Sequence, residues 1–266
     1  MVWHPMQAIR EYLPAAVILV GVLVAWEVLV GASGLQGFVL PVPSAIWSAL
    51  VENWTADYAL LPAAQVTLFE ALGGLVLGTV LGVATAFIVS RFPAARDTVL
   101  PLAIAINAIP IIAFAPIANN WFGILSPLSK MAVAAALVYF PIMINVLRGL
   151  TEVDRSALEL MRSYAAGPTA VTMQLRVPNA LPYFLTGLKV ATTLSLIGAV
   201  VGEYFGGLSA TLGRVVVSAA SALRFDVTWA AILMVSLTGI VLYLMVATLE
   251  RLLIPWHPSV RGEKPA

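Results

Sequence analysis

Six apolar runs, at residues 13–35, 65–89, 98–118, 130–147, 183–207 and 229–250, dominate the sequence. Each is close to the roughly 20 residues that a helix needs to cross a hydrocarbon core about 30 Å thick. None alternates with period two, so helices rather than barrel strands satisfy the backbone hydrogen bonds. The expected fold is an all-α integral membrane protein with six transmembrane helices in a single domain, 1–266. Composition leaves little else. The chain is 61% hydrophobic and 10% charged, against about 25% charged in a soluble domain, and so few polar residues cannot cover a core in water.

Several chemistries are excluded at once. The chain has no cysteine, which removes disulfides, thiolate nucleophiles and thiolate-bound metals. Its two histidines, His4 and His257, lie near the ends, so the runs hold no imidazole for a metal or a proton relay. They also hold no aspartate, which closes off an intramembrane hydrolase. A net charge of +1 with dispersed basic residues leaves no footprint for nucleic acid. An ion-driven secondary transporter would carry an internal repeat and titratable groups at mid-span; no clear repeat is seen, and Glu70 and Glu203 are the few candidates. The run at 13–35 follows Arg10 and ends on small residues, as a signal peptide does, but its length and Glu27 make it a retained first helix.

Basic residues in the short connections orient the bundle. With a cytoplasmic N-terminus, eleven Lys/Arg lie inside, and only Lys130, Arg214 and Arg224 lie outside. Two outer segments are more than linkers. In the first, Ser44 is the expected N-cap, with Ile46, Trp47, Leu50 and Trp54 at helical spacing, as in an interfacial amphipathic helix. The second, 210–223 around Arg214, is weaker. They either cover the rim of the bundle or dock an external partner. Within the second run, Gly74, Gly78 and Gly82 place small residues on one face for close helix packing. The third run carries Pro101, Pro110 and Pro116 around Asn107, a bent helix with an amide to bury.

Residues 148–182 form the longest segment on the inner side and hold seven of the chain's 27 charged residues. Asp154 is placed to cap a short helix from Arg155, Gly167-Pro168 ends it and opens a second, and Pro178 stops the second. Arg155, Glu159 and Arg162 share a face, with Leu158, Met161 and Ala165 beside them. Such a pair either fits a groove in another protein or folds back on its own bundle.

The same segment carries a family resemblance. Glu159-Leu160-Met161-Arg162-Ser163-Tyr164-Ala165, followed by Leu175-Arg176-Val177-Pro178, resembles the EAA loop of permease subunits from binding-protein-dependent ABC importers. Glu159 and Pro178 fall on that family's Glu and Pro, and Leu175 and Val177 on its apolar positions. Leu160 and Met161 replace two alanines, and Ala165 stands where Gly is usual. The nearest glycine is Gly167, which leaves open where the chain turns. Leu40-Pro41-Val42-Pro43-Ser44, Trp121-Phe122-Gly123, Tyr139-Phe140-Pro141 and the stretch 197–207 are similar to nitrate/sulfonate/taurine-type permeases. The last is closer to the branch assigned to pyrimidine and riboflavin precursors.

The resemblance implies a type I ABC importer permease with cytoplasmic termini in a bacterial plasma (inner) membrane. It implies a non-catalytic subunit without a cofactor of its own, consistent with the missing Gly-x-x-x-x-Gly-Lys-Ser/Thr loop. ATP and Mg would be held by two cytoplasmic ATPase subunits. An external solute-binding protein and a second permease copy, identical or paired, complete the expected assembly. Coupling to the ATPase is carried over to Glu159, Leu160, Met161, Ala165, Gly167 and Pro178. A solute path between two copies has Asn107, Asn145, Thr192, Thr193, Ser195 and Glu203 as polar candidates. Glu203 serves equally as a cap or an interhelix partner near the outer interface, and Glu27 has no assigned role. No Lys or Arg lies at mid-span, Lys189 being near the inner end and able to snorkel. A neutral or cationic solute follows, a pyrimidine-like vitamin precursor before nitrate, a sulfonate or taurine.

Overall fold

The computed structural model describes residues 5–33, 40–92, 98–99, 101–102, 104–105, 110–207 and 210–254. Among the described residues every regular element is helical: α1 (Pro5–Ala32), α2 (Pro43–Glu52), α3 (Leu60–Arg91), α4 (Ile111–Phe122), α5 (Pro127–Thr151), α6 (Arg155–Ser163), α7 (Pro168–Val171), a π-turn (Thr172–Arg176), α8 (Val177–Tyr204), α9 (Leu212–Ser221) and α10 (Phe225–Leu253). Among the described residues five helices are long and apolar enough to span a bilayer: α1, α3, α5, the continuous helix Pro168–Tyr204 and α10. The third expected crossing differs. There α4 begins only after Pro110, runs 12 residues to Phe122, and is too short to span alone; Asn107 lies outside the described residues. The long helices overrun the apolar runs by several residues at most ends, at α5 through a side-chain cap. Ser126, whose Oγ accepts from the Leu128 N–H at 3.2 Å, opens α5 in this way.

Helix α5 is sandwiched between α3 and α8, and the glycines explain how closely. A Cβ added at Gly78 would stand 2.7 Å from Ala135 O, and one at Gly82 would stand 2.9 Å from Tyr139 O. The stripe expected on one face of α3 thus lets two backbones meet, as small residues do in membranes. On the other side, a Cβ at Gly198 would stand 2.5 Å from Ala134 Cα. Gly198→Ala is therefore expected to force the helices apart and cost about 1–3 kcal/mol. The control is Gly21→Ala, where nothing lies within 4 Å. Melting in detergent checks this, and equal midpoints for the two variants would refute it.

At the end of the bundle away from α6, α2 and α9 close over α3 and α10. Helix α2 is amphipathic as expected, but Ile46, Ala49 and Leu50 face inward while Trp47 and Trp54 are exposed. Ile46 and Trp47, being adjacent, are about 100° apart on the helix and need not share a face. The N-cap is Val42, not Ser44. Ser44 instead donates through its N–H and Oγ to the two Glu27 carboxylate oxygens, at 3.0 and 2.6 Å, so α1 supplies the negative group at the start of α2. Trp26 packs edge-on against Trp229 with centroids 5.6 Å apart. In α9, Leu212, Val215 and Ala219 are buried, and the helix belongs to the core of that end.

Candidate functional site

Helix α6 has no buried residue. Asp154 caps it as expected, accepting from the Ser156 N–H at 3.0 Å and from Ser156 Oγ at 2.8 Å. These bonds hold its pKa below the ordinary aspartate value. At the far end, the Ala165 N–H donates to Arg162 O at 2.9 Å and the Ala166 N–H to Met161 O at 3.0 Å, the paired closure of a Schellman turn. Ala165 has φ +51° and is the left-handed residue of that turn. Gly167, at φ −70°, only precedes α7. The chain turns at Ala165, where the resembling loops carry Gly. A left-handed alanine is strained by about 1–2 kcal/mol, partly offset by the freedom glycine adds to the unfolded chain. Ala165→Gly is expected to stabilise the turn by roughly 0.5–1 kcal/mol, slowing hydrogen exchange at the amides of residues 165 and 166; faster exchange would contradict it.

The second short helix does not end at Pro178. The π-turn at Thr172–Arg176 runs directly into α8, and its wider winding accommodates a residue with no N–H to give. This corrects the reading of Pro178 as a stop. Pro168–Tyr204 is a 37-residue rod, about 55 Å long at 1.5 Å per residue. Asn179 Nδ2 donates to Gly149 O at 2.8 Å and to Glu152 O at 3.2 Å, binding the rod to the end of α5. Glu159, Leu160, Tyr164 and Met173 are exposed, and Met161 is half-buried. A loop folded back on its own bundle would bury one face of α6, and α6 buries none.

At the opposite end, three ionisable groups from three helices are buried: Glu70 on α3, Lys130 on α5 and Glu203 on α8. Glu203 Oε2 accepts from the Gly213 N–H at 2.6 Å, and Thr67 Oγ1 accepts from the Leu212 N–H at 3.0 Å. Together they take up the first two N–H groups of α9. Glu203 therefore takes the capping position. Lys130 Nζ donates to the carbonyl oxygens of Ile124 and Ser126 and feels the field of both carboxylates. Glu70 Oε2 and Glu203 Oε1 have no hydrogen-bond partner among the described residues.

The remaining polar candidates divide by face. Thr192 Oγ1 donates to Lys189 O at 2.6 Å and Ser195 Oγ to Thr192 O at 2.9 Å, both inside the bundle. Asn145 Nδ2 donates to Pro141 O at 2.8 Å. Thr193 alone of the α8 hydroxyl residues at this level is exposed. It lines a cleft of about 570 Å³ between α8 and α10 with Ile197, Tyr204, Ser236, Gly239 and Tyr243. Lys189 pairs with Glu250 on α10 at 2.5 Å.

Residues 78–255 match the family model described as the binding-protein-dependent transport system inner membrane component. The chain belongs to this family of ABC importer permeases. It is 36% identical over 238 residues to the formylaminopyrimidine transport permease protein of Halalkalibacterium halodurans, covering 88% of this chain and 92% of the relative. It is 30% identical over 241 residues to the riboflavin transport system permease protein of Chloroflexus aurantiacus, covering 89% and 87%. To the taurine transport system permease protein of Escherichia coli it is 28% identical over 235 residues, covering 88% and 78%. The resemblance seen in the sequence is thereby shown, and the permease is a multi-pass inner-membrane protein of a binding-protein-dependent importer.

Three side chains in the permease escaped sequence reasoning. Lys130 reads as a loop cation at a helix start, and only the fold of α3, α5 and α8 reveals that it is buried beside Glu70 and Glu203. Glu27 gains its partner Ser44 across a connection that carries no pattern. Asn179 could have been found, since an amide one residue after Pro178 stands where the ends of two helices must be tied.

Proposed function

We propose that two copies of this permease enclose the solute path and that a cytoplasmic ATPase dimer drives them through α6 and the base of the Pro168–Tyr204 rod. The observation that carries this reading is an exposed helix with no buried face, bearing Glu159, Leu160 and Tyr164 at the position of the EAA loop. Glu159 and its neighbours Leu160 and Met161 engage the ATPase groove, Ala165 and Gly167 shape the turn, and Pro178 lies at the root of the rod. ATP and Mg are bound by the ATPase, and a solute-binding protein delivers cargo from outside. Both termini are cytoplasmic, by the excess of basic residues on that side, and α4 with the residues before it makes the sixth crossing. Helix α1, with 6% of its spanning window buried, faces lipid or the second copy.

The solute is a pyrimidine-like vitamin precursor. Identity is higher to the formylaminopyrimidine permease, 36%, than to the taurine permease, 28%, and Lys130 is occupied by carbonyls within one chain. An anion path calls for accessible positive charge. The test is ATP hydrolysis by the purified permease–ATPase complex with its solute-binding protein. Formylaminopyrimidine should stimulate hydrolysis and taurine should not. Stimulation by taurine alone would transfer the function to the sulfonate branch, and no co-purifying ATPase would end the importer reading.

A further inference from the structure

We infer that the cleft between α8 and α10 is the solute half-site of each permease copy, and that it takes an uncharged heteroaromatic ring. The inference rests on the two-copy reading above. A path at the seam of two copies is walled by groups exposed in one copy, and this sets Thr192, Ser195 and Glu203 apart from Thr193: the first three are buried at 1%, 0% and 0% exposure, while Thr193 is exposed. Tyr204 stands at the outer end of α8, and Thr193 lies eleven residues deeper, about 16 Å at 1.5 Å per residue. The cleft therefore leads from the outer face to the middle of a core about 30 Å thick.

Its chemistry selects. No Asp, Glu, Lys, Arg or His lines it. An anion would lose its hydration there with no counter-charge, at a cost of several kcal/mol. Two phenol rings, Tyr204 and Tyr243, offer aromatic faces for stacking among aliphatic side chains, and Thr193 and Ser236 add hydroxyls, that of Ser236 donating to Ile232 O at 3.1 Å and presenting its oxygen as an acceptor. A volume of about 570 Å³ is in the range of small-molecule sites. A neutral ring with amino and carbonyl edges satisfies such a wall; a sulfonate does not.

The cysteine-free sequence makes the test direct. Single cysteines are placed at Thr193 in the cleft, at Thr192 inside the bundle and at Val80 on the exposed face of α3, in the permease–ATPase complex in nanodiscs. A charged, membrane-impermeant methanethiosulfonate is expected to modify Thr193→Cys at least tenfold faster than the other two, read by peptide mass spectrometry of this chain. Millimolar aminopyrimidine should slow that labelling, and taurine should not. Thr193→Val and Tyr243→Leu should raise the uptake KM at least fivefold. Labelling of Thr193→Cys no faster than Val80→Cys would show a lipid-filled cleft and overturn the proposal, as would an unchanged KM in both variants. Protection by taurine instead of aminopyrimidine would overturn the solute class. Loss of the ATPase from the preparation would count against the importer reading alone, since labelling is still read without it.

Discussion

Lys130→Met should lower the melting midpoint of the purified permease by roughly 10 °C. The side chain is fully buried, as is Glu203, with Glu70 at 2% exposure, so removing the ammonium takes the compensating positive charge away from two buried carboxyl groups and leaves the Ile124 and Ser126 carbonyls without their donor. Breaking a buried ion cluster from one side costs about 3–5 kcal/mol, and for a chain of this size each kcal/mol moves the midpoint by roughly 2–4 °C. Methionine preserves most of the volume, which separates charge from packing. Adding Glu70→Gln should recover much of the loss, because Glu203 would then be the lone carboxylate and would keep its bond from the Gly213 N–H. Size-exclusion recovery after a temperature series measures all three proteins. If Lys130→Met melts within about 2 °C of wild type, less than one kcal/mol, the buried charges are not energetically coupled.

The contrast between Lys130 and the α3 glycines shows what could be read from the sequence. Gly74, Gly78 and Gly82 sit at a four-residue repeat inside one helix, so their shared face follows from helix geometry alone, and the close approach to α5 follows from their size. Asp154 is equally local, since a cap bonds two residues ahead. Glu70, Lys130 and Glu203 are separated by about sixty and seventy residues, and no periodicity couples them. Pro178 failed differently. The rule that proline ends a helix assumes α winding, and the π-turn before it changes which carbonyl would need the missing N–H. In α2, the spacing identified an amphipathic helix but not which of two adjacent residues turns inward. Thr192 and Thr193 pose the same problem in α8, and there the answer decides which hydroxyl is exposed at the α8–α10 cleft.

Leu160→Asp is expected to abolish uptake while leaving the fold intact. Leu160 is 57% exposed and Tyr164 77% exposed, one turn apart on α6, so neither contributes much to the stability of a single chain; surface changes of this kind stay within about 0.5 kcal/mol. At an interface the same pair would be an apolar anchor, and losing an anchor typically costs 2 kcal/mol or more, about a 30-fold weaker association. Glu159→Ala should act in the same direction, lowering both transport and retention of the ATPase. The measurement pairs two readouts: melting of the isolated permease, expected unchanged, and ATPase co-purification with uptake, expected lost together. Wild-type co-purification and uptake in both variants would remove α6 from the coupling interface. Loss of uptake with the ATPase still bound would shift the role of α6 from holding the ATPase to transmitting its motion. That outcome has a structural route, because α7 is continuous with α8 and Asn179 ties the root of the rod to α5. A displacement at the coupling turn would then move Thr193 and Tyr204 on the same rigid helix.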